Sequence, residues 1–119
     1  MFNFEKLDVW QKAIEFADPI YTDTRSFPTE ERSGLTAQLR RAAVSISSNI
    51  AEGSSRSSKA DFARFIEIAG GSVFEVVSEC FVARRQSFLS DDSFRTIYAI
   101  AEQESRMPSG LRRSLLAAK

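Results

Sequence analysis

Apolar side chains recur at helical spacing in four successive stretches of this chain, and no alternating, strand-like pattern competes with them. Placed at about 100° per residue, residues 5–25 gather Val9, Trp10, Ala13, Ile14, Phe16, Ala17, Ile20 and Tyr21 on one broad side. Gln11, Lys12, Glu15, Asp18 and Thr22 lie opposite. Pro19, inside that stretch, predicts a kink in its last turn. The turn SFPTEERSG brings acids to the start of a second helix, which runs to Ser54 with Gly53 as a left-handed cap. Ser58 and Asp61 form a start signal for a third helix over residues 59–86. SFLSDDSF separates it from a fourth over residues 91–117, where Pro108 predicts another kink. The fold class expected is all-α.

With 119 residues, 43% of them apolar, the chain can bury one core, so a single domain over residues 1–119 is expected. Sixteen basic residues balance sixteen acidic ones, which leaves no overall field to concentrate a polyanion; a nucleic-acid role must rest on a local patch. There is no histidine, and the single Cys80 has no partner for an intramolecular disulfide. The usual ligand sets for zinc or non-haem iron are therefore missing, no cofactor or metal is expected, and the compartment reads as reducing cytosol. The N-terminal MFNFEKLDVWQ carries acids at once, and no apolar run is long enough for a bilayer span or a signal core. A soluble cytoplasmic protein with no membrane partner is the expectation.

Charge is unevenly dealt. Residues 1–31 hold three bases and seven acids, 32–64 six and two, 65–83 three acids alone, and 84–119 seven bases and four acids. Acidic helices thus alternate with basic ones, as suits antiparallel neighbours that pair across their edges; each exposed pair contributes only about 0–1 kcal/mol.

The second and third helices have more apolar surface than one core face requires. Leu35, Leu39, Ala42, Ala43, Ile46 and Ile50 fill an arc of roughly 100°, the width of an ordinary core stripe. Ala37, Val44 and Ala51 form a second stripe of small residues nearly opposite, and Gln38, Arg41, Ser45, Ser48, Asn49 and Glu52 make a polar row between them. On the third helix the apolar residues spread over half the circumference, and Gly70 and Gly71 sit in mid-helix at a cost of about 1 kcal/mol each. Close approach of another backbone would compensate, so these two helices ask for a second partner, and a homo-oligomer is expected.

The stretches LDVWQKA and FPTEERSGLTAQLRRAAVSISSNIAEGSSRSSKADFARFIEIAGGS, at their spacing, resemble the bacterial four helix bundle proteins of the 23S rRNA intervening-sequence type. The resemblance covers the first two-thirds of the chain, and its long GLTAQLRRAAVSISSNIAEG signature makes it specific. It implies an up-and-down antiparallel four-helix bundle that assembles into a homopentameric ring. Relatives include reading frames inside rRNA intervening sequences and the accessory subunit of diversity-generating retroelements, a basic barrel thought to bind nucleic acid and a reverse transcriptase. RNA, DNA or a nucleic-acid enzyme are the further partners the resemblance implies; most members have no assigned molecular function. Pro19, Pro108 and the neutral net charge depart from the family pattern.

Chemistry finds little foothold in these residues. A di-iron carboxylate bundle needs Glu-x-x-His pairs, Cys80 lies in an apolar arc with no imidazole to activate it, and GSSRSS lacks the lysine and preceding strand of a phosphate loop. Arg40 and Arg41 point about 100° apart on a helix, so they cannot act as one clamp. Arg41 and Glu52 share a face but stand about three turns apart, so each must find partners on other helices or subunits; Glu67, Glu75 and Glu79 are the candidates for Arg41. Asn49 reads as a polar contact to backbone near the following turn. Together Arg41, Asn49, Glu52, Glu67, Glu75 and Glu79 make a structural or intersubunit polar row. The residues open to nucleic acid are Arg40, the local cluster Arg56, Lys59 and Arg64, and the basic C-terminal set Arg106, Arg112, Arg113 and Lys119. The function expected is a non-catalytic, self-assembling scaffold or adaptor, with an RNA-binding accessory protein as the alternative.

Overall fold

Each of the four periodic stretches forms a helix in the computed structural model, which describes residues 1–117; Lys119 lies outside the described residues. The helices are α1 (Asp8–Thr24), α2 (Leu35–Ser54), α3 (Lys59–Arg85) and α4 (Asp91–Ala117), and no strand occurs among the described residues. Residues 55–58 and 86–90 are connections too short for anything but an antiparallel return. Helix α2 packs on α3, α3 on α4, and α1 on both α2 and α4, while the backbones of the diagonal pairs stay further apart, with no Cα atoms within 8 Å among the described residues. The result is a bundle of 48 × 23 × 20 Å, about as long as its 27-residue helices α3 and α4 at about 1.5 Å per residue. Phe16, Ile20, Leu39, Ile46, Ile50, Ile66, Val73, Val76 and Ile97 fill its centre.

Three local features differ from the sequence-based expectation. Helix α1 begins at Asp8, not at residue 5, because Leu7 is extended (φ −81°, ψ 123°) and separates the helix from a 3-10 turn at Asn3–Lys6. Phe4 of that turn meets Trp10 edge-on at 4.9 Å, so the apolar pattern runs across the break. The second difference is Gly53, which is no left-handed cap: no glycine has positive φ, and α2 continues past it to Ser54. Its missing Cβ makes room for α3. A Cβ at Gly53 would stand 2.7 Å from Phe65 Cβ and 2.9 Å from Phe62 Cδ1. Conversely, Gly70 and Gly71, expected to admit a close backbone, have nothing within 4 Å of a built Cβ, so no approach inside the chain explains them.

The helix ends are otherwise as the local chemistry dictates. Ser58 Oγ accepts the Asp61 N–H at 3.0 Å, starting α3 where the S-x-x-D signal lies. Its C-terminus closes through Ser87, left-handed at φ 64°, which lets the Phe88 N–H reach the Ala83 carbonyl at 2.9 Å. Helices α1 and α4 continue through Pro19 and Pro108. Neither proline has an N–H to give the carbonyl four residues back, that of Glu15 or Glu104.

Candidate functional site

Between α2 and α3 the polar rows of the two helices meet in a cleft of about 250 Å³ lined by Gln38, Arg41, Ala42, Ser45, Glu75 and Glu79. Its floor is a hydrogen-bonded chain. Ser45 Oγ and Ser72 Oγ are 2.9 Å apart, and Asn49 Nδ2 donates to the Ser45 carbonyl at 2.8 Å and to Ser45 Oγ at 2.9 Å. Asn49 therefore ties back one turn within α2; it does not reach the following turn, because Ser45 presents both acceptors at i−4.

Glu79 dominates the electrostatics of the cleft. Its Oε1 is sealed from solvent and has no hydrogen-bond partner. Burial holds its carboxyl above the usual carboxylate range, the Glu75 charge pushes the same way, and the Arg41 guanidinium opposes both. Arg41 is exposed and forms no ion pair within 4 Å among the described residues, so it acts on Glu79 across the cleft.

Of the polar row read from sequence, Arg41, Glu75 and Glu79 come together with Asn49 beneath them, and two members go elsewhere. Glu52, expected to find its partner on another helix or subunit, instead pairs at 2.7 Å with Arg56 in the connection just beyond α2, four residues along the chain. Glu67 faces α4 and pairs with Arg112 at 3.1 Å. The basic candidates do not form one patch. Arg56 and Arg64 both lie over the Phe65 ring, at 4.6 and 5.5 Å, and Arg64 also approaches Asp61 at 3.8 Å. Lys59 opens the same helix on its exposed first turn, while Arg113 and Arg106 are exposed on α4. Arg40 turns toward α1: its Nε donates to Thr24 Oγ1 at 2.9 Å, an Nη2 hydrogen reaches the Tyr21 carbonyl at 3.4 Å, and its guanidinium covers the Tyr21 ring at 4.7 Å.

Catalytic groups are poorly served by this arrangement. Cys80 is buried, and burial with the nearby Glu79 and Asp23 charges pushes its thiol up to about 12, so the thiolate nucleophile is not populated near neutrality. No group of three or more Cys, Asp or Glu among the described residues could hold a metal ion. No helix among them is long and apolar enough to cross a membrane.

The neighbouring face of the bundle, between α3 and α4, carries exposed apolar side chains. Two adjoining hollows, about 240 and 440 Å³, run along the α3–α4 seam and share Phe74 and Ser105; Gly70 and Gly71 line the first, Phe81 and Tyr98 the second. Phe74 is 70% exposed there. Across the bundle, Ile14 and Tyr21 of α1 and Val44 of α2 are also exposed. Part of the small-residue stripe on α2 finds cover within the chain, since Ala51 and Ser48 border a hollow with Phe2 and Phe4 of the N-terminal turn. Sequence reasoning missed Glu104, a carboxylate only 3% exposed at the α1–α4 seam. Its place in the spacing Ile97, Ala101, Glu104, Pro108 was the available signal.

Residues 5–110 match the family model described as 23S rRNA-intervening sequence protein. Among solved structures, the chain is similar to a protein of unknown function from the S23 ribosomal protein family of Bacteroides thetaiotaomicron. The two share 23% identity and a TM-score of 0.78, with 87% of this chain and 97% of that one covered, a likeness of fold. No curated protein matches the chain.

Proposed function

This chain belongs to the 23S rRNA-intervening sequence protein family, and from that premise we propose that it is a non-catalytic scaffold that works as an assembly of identical copies. The carrying observation is the seam of α3 and α4, where Phe74 stands 70% exposed beside two mid-helix glycines at which an added Cβ would meet no other part of the chain within 4 Å. A bundle in water does not keep an aromatic ring and bare helix backbone uncovered without use. The chain supplies a complement on its other side, where Ile14, Tyr21 and Val44 are exposed. Two unlike patches on opposite faces join head to tail, and such contacts close into a ring when the rotation permits. Five subunits is the number the family resemblance suggests.

The nucleic-acid alternative draws less support. Arg56, Arg64 and Arg112 each stand against a carboxylate of their own chain. Light scattering at micromolar concentration tests the scaffold reading. A multimer is expected, with Phe74→Glu reducing its mass while leaving the helical circular dichroism intact. A clean monomer would overturn the reading.

A further inference from the structure

The connection between α1 and α2 encloses a hollow of about 300 Å³ whose lining differs from every surface described above. Three arginines line it, Arg25, Arg32 and Arg40, together with the hydroxyl residues Thr24, Thr29 and Thr36, and no carboxylate lines it. Of the acids flanking it in sequence, Glu31 has its Oε1 committed to the Leu35 N–H at 3.1 Å, and Asp23 and Glu30 are outside its lining. Neither Arg25 nor Arg32 forms an ion pair or side-chain hydrogen bond among the described residues.

The hollow is also built, not merely lined. Phe27 is buried and packs on Phe88 at 5.8 Å between ring centroids, anchoring the connection to the α3–α4 turn at the same end of the bundle. Thr24 is buried, donates to the Ile20 carbonyl at 2.7 Å and accepts Arg40 Nε at 2.9 Å. Arg40 is thereby held in one orientation with Nε and Nη2 engaged, and a guanidinium has five N–H donors to use. Thr36 adds a further hydroxyl to the lining: the residue is only 6% exposed, and its hydroxyl, neither engaged within the described chain nor sealed from solvent, is open to a ligand.

We propose that this hollow is a binding site for a phosphoryl group, gripped by Arg25, Arg32 and Arg40 with the Thr36 hydroxyl beneath. Planar guanidiniums match the oxygens of phosphate with charge-assisted, often paired hydrogen bonds. Three cations without a lining carboxylate favour a multiply charged oxyanion over a neutral ligand. The volume is at the lower end of small-molecule sites, which run from about 300 to 1,000 Å³, so it suits the phosphoryl end of a ligand with its remainder outside. The site belongs to one chain and does not rest on the assembly reading.

Nitrogen–proton correlation NMR of the full chain, titrated with inorganic phosphate against sodium chloride of equal ionic strength, reads the site directly. The expected result is saturable amide shifts confined to residues 24–40, with a higher melting temperature than the chloride control. Arg32→Gln and the near-isosteric Thr36→Val should each weaken phosphate by on the order of tenfold. Arg32 is on the exposed turn, so Arg32→Gln decides alone should Thr36→Val fail to fold. A single-stranded RNA oligonucleotide separates the two sources of the group. RNA that moves the same amides and loses affinity in Arg32→Gln identifies a backbone phosphodiester; phosphate that binds while RNA leaves those amides still identifies a small phosphorylated ligand. If both leave them still, or if Arg32→Gln binds as well as the parent chain, the proposal fails, while the mass of the assembly on the same samples judges the scaffold reading separately.

Discussion

Gly53 and Phe65 stand so close that a Cβ on Gly53 would lie 2.7 Å from Phe65 Cβ, well inside van der Waals contact. The obstacle is the root of the Phe65 side chain, fixed by the backbone of α3, and a rotamer change cannot relieve it. Gly53→Ala must push α2 and α3 apart near their connecting turn. Urea denaturation should show a loss of about 1–3 kcal/mol, the usual cost of overpacking; an unchanged midpoint would mean the helices yield freely there.

Gly71 is expected to behave in the opposite way. With nothing within 4 Å of its Cβ position, the first carbon of a Gly71→Leu side chain meets nothing in its own chain, and replacing a mid-helix glycine favours α3 by up to about 1 kcal/mol. If copies meet at the α3–α4 seam, the added side chain blocks them. A folded monomer at least as stable, with a lower mass in light scattering, is the expected pair of results, whereas intact assembly would move the interface away from this seam.

The contrast between these glycines shows what the sequence carries and what it withholds. Helical spacing located the four helices and the α2 core face, where Leu39, Ala42, Ala43, Ile46 and Ile50 are all buried. A glycine near a helix end can serve as a cap or as a gap, and only the aromatic pair on the next helix, Phe62 and Phe65, decides for Gly53. Partners of charged residues divide in the same manner. Glu52 and Arg56, four apart, were readable by the local helix rule, whereas Glu67 meets Arg112 through a contact that depends on how α3 and α4 are registered. The phosphoryl hollow draws on residues either side of a connection that has no periodicity, so no wheel could assemble it.

Arg41 should prove a weak contributor to the stability of the single chain. It is exposed and opposes the raised Glu79 carboxyl across the cleft without closing a pair. Arg41→Ala is therefore expected to cost under about 1 kcal/mol, and carbon-detected NMR titration should find the Glu79 carboxyl moved further up. A loss of several kcal/mol, or of mass, would instead place Arg41 in a buried pair between subunits.

Ser87 holds a left-handed conformation at the end of α3 that glycine adopts without steric cost. Ser87→Gly keeps the Phe88 to Ala83 closure and removes the side-chain penalty. Thermal unfolding should rise by the equivalent of up to about 1 kcal/mol, less the extra freedom glycine gives the unfolded chain; a fall would show that the serine side chain has a structural use.

Glu104 gives the bundle a built-in pH dependence. Its carboxyl is 3% exposed with Oε2 sealed and unpaired, and Pro108 deprives its backbone carbonyl of a helical donor. Burial raises the carboxyl from 4.5 to about 7; Lys12 pulls it down, while Glu15 and Asp8, also facing from α1, push it up. A folded-state value above the unfolded one means the native chain binds the extra proton, so stability falls as pH rises from about 4.5 to about 7 and levels off above that. The loss is on the order of 3–4 kcal/mol, at about 1.4 kcal/mol for each tenfold difference in proton affinity between the folded and unfolded chains. Glu104→Gln, neutral at every pH, should flatten this slope between those limits and leave the variant the more stable chain at pH 8. Urea midpoints at pH 5, 6, 7 and 8 for both chains provide the comparison. Parallel curves would mean that Glu104 leaves the core when it ionises, or that Lys12 swings in to neutralise it, so that burial at the α1–α4 seam carries no charge at neutral pH.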